Sequence, residues 1–218
     1  MIFHTFTAME LRVLTFGDLE IHLVHIQGDL DLLRDTFVAP WMTDFEMEQW
    51  HAISADKRKR EFAAVRYLLW RQGLRGELFY EDEVPKLKNG THISISHSHD
   101  WVGVAFCGQY PIGMDLELIQ EKVARVYEKY VHEDERELFP KSDLQKATLL
   151  WSFKETIFKL MRQPGLLFSE DICVQQDASG QFKARVSAET GIFEVPLGHQ
   201  IMGQYVLTFN SGDVQKQA

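Results

Sequence analysis

The chain has 218 residues, of which 45% are hydrophobic and 12% aromatic, enough for one large or two small hydrophobic cores. Its formal net charge of −9 argues against a nucleic-acid-binding protein. Residues 1–14 lack the pattern of a signal peptide, and no stretch approaches the ~18 apolar residues of a membrane span. Cys107 and Cys173 stand in apolar, strand-like segments, which favours buried free thiols. We therefore expect a cytoplasmic protein that does not associate with membranes.

Hydrophobic periodicity predicts the elements of the first half of the chain. Strands are expected near residues 10–16 and 20–26, an acidic helix at 30–37, a basic helix at about 55–73, and strands at 92–96 and 101–107. The basic helix combines apolar residues at helical spacing with a cluster of positive charges made of Lys57, Arg58, Lys59, Arg60, Arg66, Arg71 and Arg75. Such a cluster is either solvated surface or a face that binds phosphate groups.

The second half of the chain begins with a strand that carries Asp115. Helices are expected near 121–130 and 143–162, followed by strands near 168–175, 181–187, 191–196 and 203–210. Pro164 and Gly165 end the longer helix.

The segment 112–118 alternates apolar residues with Gly113, Asp115 and Glu117, the period of a strand with one buried face. Both carboxylates then point to the same side. Because they repel each other and lose hydration on a partly buried strand, a cation is expected to compensate them. The pair is therefore either part of a metal site or the solvated face of an edge strand.

The helix at 143–162 has two distinct faces. Its core-facing stripe consists of Leu150, Phe153, Ile157, Leu160 and Met161. Trp151, Glu155, Lys159 and Arg162 line up on a flank of the same helix. Taken alone, Glu155 and Lys159 are typical of a weak surface pair at i, i+4.

Residues 92–98 form a third polar segment. Ile93 and Ile95 alternate with Ser94 and Ser96 before His97 and Ser98, so a short strand ends in hydroxyls and an imidazole. Those groups suit phosphate oxygens, although an isolated His97 is more typical of a capped turn.

Three motifs follow one another at characteristic separations: Ser96-His97-Ser98, Gly113-x-Asp115-x-Glu117 and Trp151-x-x-Lys154-Glu155-x-x-x-Lys159. Together they resemble the 4′-phosphopantetheinyl transferase family, in particular its Sfp-like, monomeric branch. The likeness covers about residues 92–162 and extends to the helix around 60–71. It implies an α+β fold of two similar lobes with pseudo-twofold symmetry. Residues 1–110 would form the lobe with the basic helix, and residues 111–218 the lobe with the metal motifs.

The resemblance also implies an enzyme, a holo-carrier-protein synthase. It would transfer the 4′-phosphopantetheine arm of coenzyme A to a serine of an apo acyl or peptidyl carrier protein and release adenosine 3′,5′-bisphosphate. By the same resemblance Asp115, Glu117 and Glu155 would bind Mg²⁺, and Lys159 would contact the pyrophosphate. His97 with Ser96, and Arg60 with Arg66, would hold phosphate groups of the coenzyme. The serine proton would pass to Glu155 or to a metal-bound water.

Some features leave alternatives open. Glu83-Val84-Pro85-Lys86 stands where the family commonly has Gly-Lys-Pro, so only Lys86 or Lys88 could supply the missing charge. Lys154 fits either a structural role or a peripheral phosphate contact. A carrier protein could dock on the basic cluster at 57–75 or on an apolar surface at 123–130. A Mg²⁺-dependent phosphodiesterase or hydrolase, and an inactive carrier-binding module, are the alternative functions.

Overall fold

A computed structural model describes residues 10–26 and 40–217. The chain divides into two compact units after Gly108, and each combines strands with helices, which confirms the expected α+β class. The helix expected at 30–37 lies outside the described residues. Within the described part of the chain, no helix has the length and apolarity needed to cross a membrane. The pseudo-twofold relation of the lobes stays a prediction.

The N-terminal unit is built on a four-stranded antiparallel sheet in the order β1-β2-β6-β5. Its elements are β1 (Glu10–Phe16), β2 (Leu19–His25), α1 (Asp44–Ala52), α2 (Asp56–Arg71), β3 (Leu78–Glu81), β4 (Val84–Leu87), β5 (His92–Ser98) and β6 (Trp101–Cys107). Helix α2 packs Val65, Leu68 and Leu69 against Val24 and Val104 of the sheet. Strands β3 and β4 form a separate hairpin.

Helix α1 was not expected from hydrophobic periodicity. A capping box begins it, because Thr43 accepts a hydrogen bond from the Glu46 amide while the Glu46 carboxylate accepts one from the Thr43 amide. Trp50 is buried near the end of this helix and donates to the carbonyl of Lys59 at 3.2 Å. This contact ties α1 to the first turn of α2.

The C-terminal unit has one antiparallel sheet in the order β7-β11-β10-β9-β8, with β12 pairing with β10. Its elements are β7 (Met114–Leu118), α3 (Glu121–Arg125), α4 (Leu144–Met161), β8 (Ile172–Gln176), β9 (Phe182–Ala188), β10 (Gly191–Met202), β11 (Tyr205–Asn210) and β12 (Gln215–Lys216), with short 3-10 helices at Tyr127–Lys129 and Glu133–Glu135. Strand β8 begins four residues later than expected, because the segment before it forms a turn in which Asp171 accepts the amide of Leu167 at 2.7 Å.

The core of this unit surrounds α4. Leu150, Phe153, Ile157 and Leu160 are buried, as their spacing predicts. The expectation of an apolar docking surface at 123–130 is wrong, since Val123, Tyr127 and Tyr130 are buried in the same core. The Tyr130 hydroxyl donates to the carbonyl of Ala147 on α4 at 3.1 Å, which holds this segment against the helix.

Candidate active site

Strand β7 and helix α4 pack closely at Gly113, the first residue of the Gly-x-Asp-x-Glu motif. A Cβ at this position would lie 2.3 Å from the carbonyl oxygen of Thr156 and 2.9 Å from Cβ of Leu160. The Gly113 amide donates to Oδ1 of Asn210 at 2.8 Å, so the neighbouring strand also fixes its backbone. The glycine is therefore required for the close approach that brings the carboxylates of β7 next to α4.

Asp115 is buried between two donors from α4. The Ser152 hydroxyl donates to its Oδ2 at 2.9 Å, and the Lys159 ammonium contacts its Oδ1 at 2.8 Å. Ser152 also shares a hydrogen bond with Thr208 of β11 at 2.8 Å, and Thr208 shares one with Thr156 at 2.7 Å. These contacts orient the Asp115 carboxylate through a buried network of hydroxyls.

Glu117 and Glu155 complete the acidic cluster. The indole of Trp151 donates to Oε1 of Glu117 at 3.0 Å. Burial and the nearby Asp115 charge raise the pKa of Glu117. Burial, with further contributions from Asp115 and Glu117, raises the pKa of Glu155 to about 7 even though Lys159 opposes the shift. Asp115, Glu117 and Glu155 thus repel one another, and the single positive charge of Lys159 offsets only part of their negative charge.

The chemistry of this donor set suits Mg²⁺, although ligand atoms of Asp115, Glu117 and Glu155 do not all lie within 4.8 Å of one another in this structure. The ion prefers oxygen ligands and is commonly bound by one or two carboxylates together with substrate phosphates. Burial, followed by repulsion between the carboxylates, raises the pKa values of Glu117 and Glu155, and a bound cation would favour their ionised forms. Asp115, Glu117 and Glu155 are the residues that would hold the ion, with Lys159 next to them.

Lys154, which immediately precedes Glu155, has a different environment. Its side chain has no solvent exposure, and its ammonium contacts Oε2 of Glu135 at 2.7 Å. It also donates to the carbonyls of Phe168 at 2.6 Å and Ile172 at 2.8 Å. Burial lowers the pKa of Lys154 and raises that of Glu135. These contacts support a structural role for Lys154 over a peripheral contact with phosphate.

The Ser-His-Ser segment lies within strand β5 of the N-terminal unit and not in a turn. His97 is half exposed, and its Nδ1 lies 3.2 Å from Oε1 of Glu61 on α2. The imidazole lines a cleft of about 320 Å³ between α2, β5 and the β3–β4 hairpin. The cleft is lined by Ile53, Arg58, Glu61, Phe62, Val65, Arg66, Tyr80, Glu83, Pro85, Ile95 and His97.

The other residues expected to contact the coenzyme are distributed differently. Ser96 is buried, and strand alternation places its side chain on the opposite face of β5 from His97. Arg66 borders the cleft but is buried, with Nε 3.4 Å from Oε1 of Glu46 and its guanidinium over the Phe62 ring. Arg60 lines a second cleft with Lys57, Glu61, His99 and Asp100. Arg60 and Arg66 therefore do not line the same cleft, whereas Arg58 and Arg66 do.

The β3–β4 hairpin carries the departure from Gly-Lys-Pro. Pro85 and Glu83 both line the cleft. Asp82 and Glu83 form the turn with φ of 49° and 64°, a conformation that L residues seldom adopt. Lys86 pairs with Glu81, and Lys88 donates to the carbonyl of Gly76 at 2.6 Å. Neither lysine lines the cleft in this structure.

Sequence reasoning did not single out the hydroxyls of Ser152, Thr156 and Thr208. The first two lie in the Trp151–Lys159 motif, but their helical positions alternate with apolar core residues. Their burial was the missing information, because a buried hydroxyl needs a partner and Asp115 supplies one for Ser152.

Comparison with known proteins supports the resemblance. Residues 111–210 match a model of the 4′-phosphopantetheinyl transferase superfamily. Over 97 residues the chain is 30% identical to the 4′-phosphopantetheinyl transferase gsp of Aneurinibacillus migulanus. That alignment covers 42% of this chain and 37% of the relative, so the chain spans well under half of the relative's length. Both findings support the superfamily, and the matched model region contains the Gly113–Glu117 and Trp151–Lys159 motifs.

Proposed function

We propose that the protein transfers the 4′-phosphopantetheine arm of coenzyme A to a serine of an apo carrier protein. The observation that carries the proposal is the cluster of Asp115, Glu117 and Glu155 beside Lys159, built by β7 and α4. The similarity of residues 111–210 to the superfamily supports the same reaction. In this reaction the serine oxygen forms a bond to the phosphorus that carries pantetheine, and adenosine 3′,5′-bisphosphate leaves.

Each member of the cluster has a role that follows from its contacts. Asp115, oriented by Ser152, and Glu117, oriented by Trp151, are proposed metal ligands. Bound Mg²⁺ would neutralise charge on the pyrophosphate. Lys159 contacts Asp115, and its side chain is 29% exposed, so it is proposed to contact a phosphate oxygen as well.

Glu155 combines the two roles expected from the sequence. With a pKa of about 7, its carboxylate is basic enough to accept the proton of an attacking hydroxyl near neutral pH. Coordination to Mg²⁺ would lower that basicity. Replacing Glu155 with Gln separates the roles, because a pure ligand is restored by more Mg²⁺ whereas a lost base is not.

The N-terminal cleft is proposed to bind the nucleotide end of coenzyme A. His97 offers a half-exposed imidazole for the 3′-phosphate, and Arg58 borders the same cleft. Phe62 and Tyr80 add aromatic surface suited to a base. The carboxylates of Glu61 and Glu83 oppose an anion there, so the imidazole would have to turn away from Glu61 to contact phosphate.

The remaining features of the proposal rest on the resemblance. They are an Sfp-like enzyme, a monomeric state, and an acyl or peptidyl carrier as partner, whereas the cytoplasmic location is proposed from the composition and the two cysteines. With Val123, Tyr127 and Tyr130 buried, the basic cluster at 57–75 is the proposed docking region of the two considered. Its positive charge would complement an acidic carrier protein despite the net charge of −9.

The test is incubation with coenzyme A, Mg²⁺ and an apo carrier protein, followed by mass spectrometry of the carrier. We expect a gain of one phosphopantetheine arm. Cleavage of coenzyme A without a gain on the carrier would indicate a hydrolase. A complex with the carrier and no chemical change would indicate a binding module. Either result would contradict the proposed transfer.

A further inference from the structure

A second group of potential metal ligands lies in the C-terminal unit, apart from the acidic cluster. His132 and Asp134 belong to the turn that begins the Glu133–Glu135 3-10 helix, and Cys173 lies on β8. One ligand atom from each of the three residues lies within 4.8 Å of the other two. Within residues 10–26 and 40–217, no other three His, Cys, Asp or Glu side chains bring their ligand atoms within 4.8 Å of one another.

The donor chemistry indicates the kind of cation. A thiol, an imidazole and a carboxylate form a mixed set that suits Zn²⁺ and similar transition metals, whereas Mg²⁺ prefers oxygen ligands. Nδ1 of His132 lies 3.6 Å from Oδ2 of Asp134. Nitrogen and oxygen ligands of a tetrahedral Zn²⁺, each about 2.0–2.2 Å from the metal, stand about 3.4 Å apart. These two donors are therefore close to coordination geometry already.

The surroundings permit such an ion. Nδ1 of His132 accepts a hydrogen bond from the amide of Asp134 at 3.2 Å. This bond is long and exposed to solvent, so water can take the place of Nδ1 as the acceptor when Nδ1 binds a metal. Asp134 is exposed and His132 half-buried, so the group is open to solvent on one side. Cys173 also interacts electrostatically with the buried Glu135–Lys154 ion pair, whose opposite charges act on the thiol in opposite directions.

We propose that His132, Asp134 and Cys173 form a binding site for a thiophilic divalent cation such as Zn²⁺. Cys173 binds as the thiolate, so its proton is released to solvent on binding. The ion joins the 3-10 turn to β8, two segments that Glu135 already links by accepting the amides of His132 and Val174. Binding to the folded chain alone raises its melting temperature.

The test is titration of the protein with Co²⁺ in the presence of excess Mg²⁺, followed by absorption spectroscopy. We expect a thiolate-to-cobalt charge-transfer band that Zn²⁺ abolishes by displacement. The band should disappear in Cys173→Ser and persist in the matched control Cys107→Ser, whose cysteine is buried in β6 of the other unit. No band in the wild-type protein, or a band that survives in Cys173→Ser, would overturn the assignment.

Asp134 provides a variant outside the packed core, because its side chain is 74% exposed. Asp134→Asn should fold as the wild type does by circular dichroism and bind Co²⁺ at least about tenfold more weakly. Unchanged affinity in this variant would remove Asp134 from the site and contradict the three-residue assignment. The carrier-protein assay is independent of these spectra, so failure of this site and failure of the proposed transferase function are distinguishable.

Discussion

Two of the three lysines of helix α4, Lys154 and Lys159, lie five residues apart in opposite environments. On its buried face, Lys154 has no exposure and is held by Glu135 and two backbone carbonyls. On its polar face, Lys159 is partly exposed and contacts Asp115 within a cluster of three carboxylates. The buried face has enough donors and acceptors for its charges, whereas the polar face has excess negative charge. The first arrangement stabilises the fold, and the second can bind a cation.

The largest expected effect on stability is at the buried face. Replacing Lys154 with Met leaves Glu135 charged and buried, which should lower the free energy of unfolding by about 3–5 kcal/mol. Lys159→Met should cost much less, because that ammonium is partly exposed. Urea denaturation of the two variants measures the difference.

The double variant Lys154→Met/Glu135→Gln sharpens this prediction. It removes both charges, and the single oxygen of the glutamine can still accept from one of the two amides, His132 or Val174, that bond separate oxygens of Glu135. It should recover part of the stability lost in Lys154→Met. Equal losses in the single and double variants would show that the charge pair is not what stabilises this face.

At the polar face the largest effect is on activity. Asp115→Asn keeps the size of the side chain but removes a charge from the proposed metal site, so transfer should fall about a hundredfold or more, or ~2.7 kcal/mol. Glu189→Gln, which removes an exposed carboxylate of the same unit, is the matched control and should be fully active. Near-normal turnover of Asp115→Asn in saturating Mg²⁺ would end the assignment of Asp115 as a ligand.

The carboxylate cluster on the polar face should also make the stability of the protein depend on pH. The pKa of Glu155 is about 7 in the folded protein, against 4.5 as its ordinary value. As pH rises from about 4.5 to 7, the unfolded chain releases this proton while the folded chain retains it, so stability falls across that window and is level above it. Screening by solvent limits the loss to about 2–3 kcal/mol.

Urea denaturation in a chelating buffer at pH 5 and pH 7.5 measures this effect. The free energy of unfolding of the wild-type protein should fall between pH 5 and pH 7.5. It should fall less in Glu155→Gln, because the Glu155 carboxyl no longer contributes to the loss. Adding Mg²⁺ at the higher pH should reverse the loss, because the ion stabilises the ionised form. A Glu155→Gln variant with the same pH dependence as the wild type would refute the account of the acidic cluster.

The smallest expected effect concerns the N-terminal cleft. His97→Ala should raise the KM for coenzyme A about tenfold, or ~1.4 kcal/mol, with little change in kcat, because the 3′-phosphate does not react. Dephospho-coenzyme A, which lacks that phosphate, is the control substrate. An equal loss with both substrates would assign His97 a different role.

Much of the C-terminal site could be predicted because it depends on local patterns. Strand alternation placed Asp115 and Glu117 together, and helical spacing placed Trp151, Glu155 and Lys159 on one flank of α4. The partners of Asp115 show the limit of this reasoning. Ser152 lies in the motif, but Thr208 comes from β11, and only the packing of α4 on the sheet brings the hydroxyls together.

Other features could not be read from local patterns because they depend on distant contacts. Lys154 is buried by Glu135, which lies nineteen residues earlier in a 3-10 turn. Arg66 is buried beside Glu46 of α1, a helix that hydrophobic periodicity missed although Thr43 and Glu46 match the capping-box pattern. Tyr130 is buried against α4, where its hydroxyl donates to the carbonyl of Ala147. In each case the side chain's environment is set by a second segment.

The most direct test compares an apo carrier protein with the same carrier in which the acceptor serine is replaced by alanine. Each is incubated with the protein, coenzyme A and Mg²⁺, and both the carrier mass and the released adenosine 3′,5′-bisphosphate are measured. We predict one phosphopantetheine arm on the serine carrier, an equal amount of bisphosphate, and neither product with the alanine carrier. Bisphosphate released equally with both carriers, or no mass gain on the serine carrier, would contradict the proposed transfer.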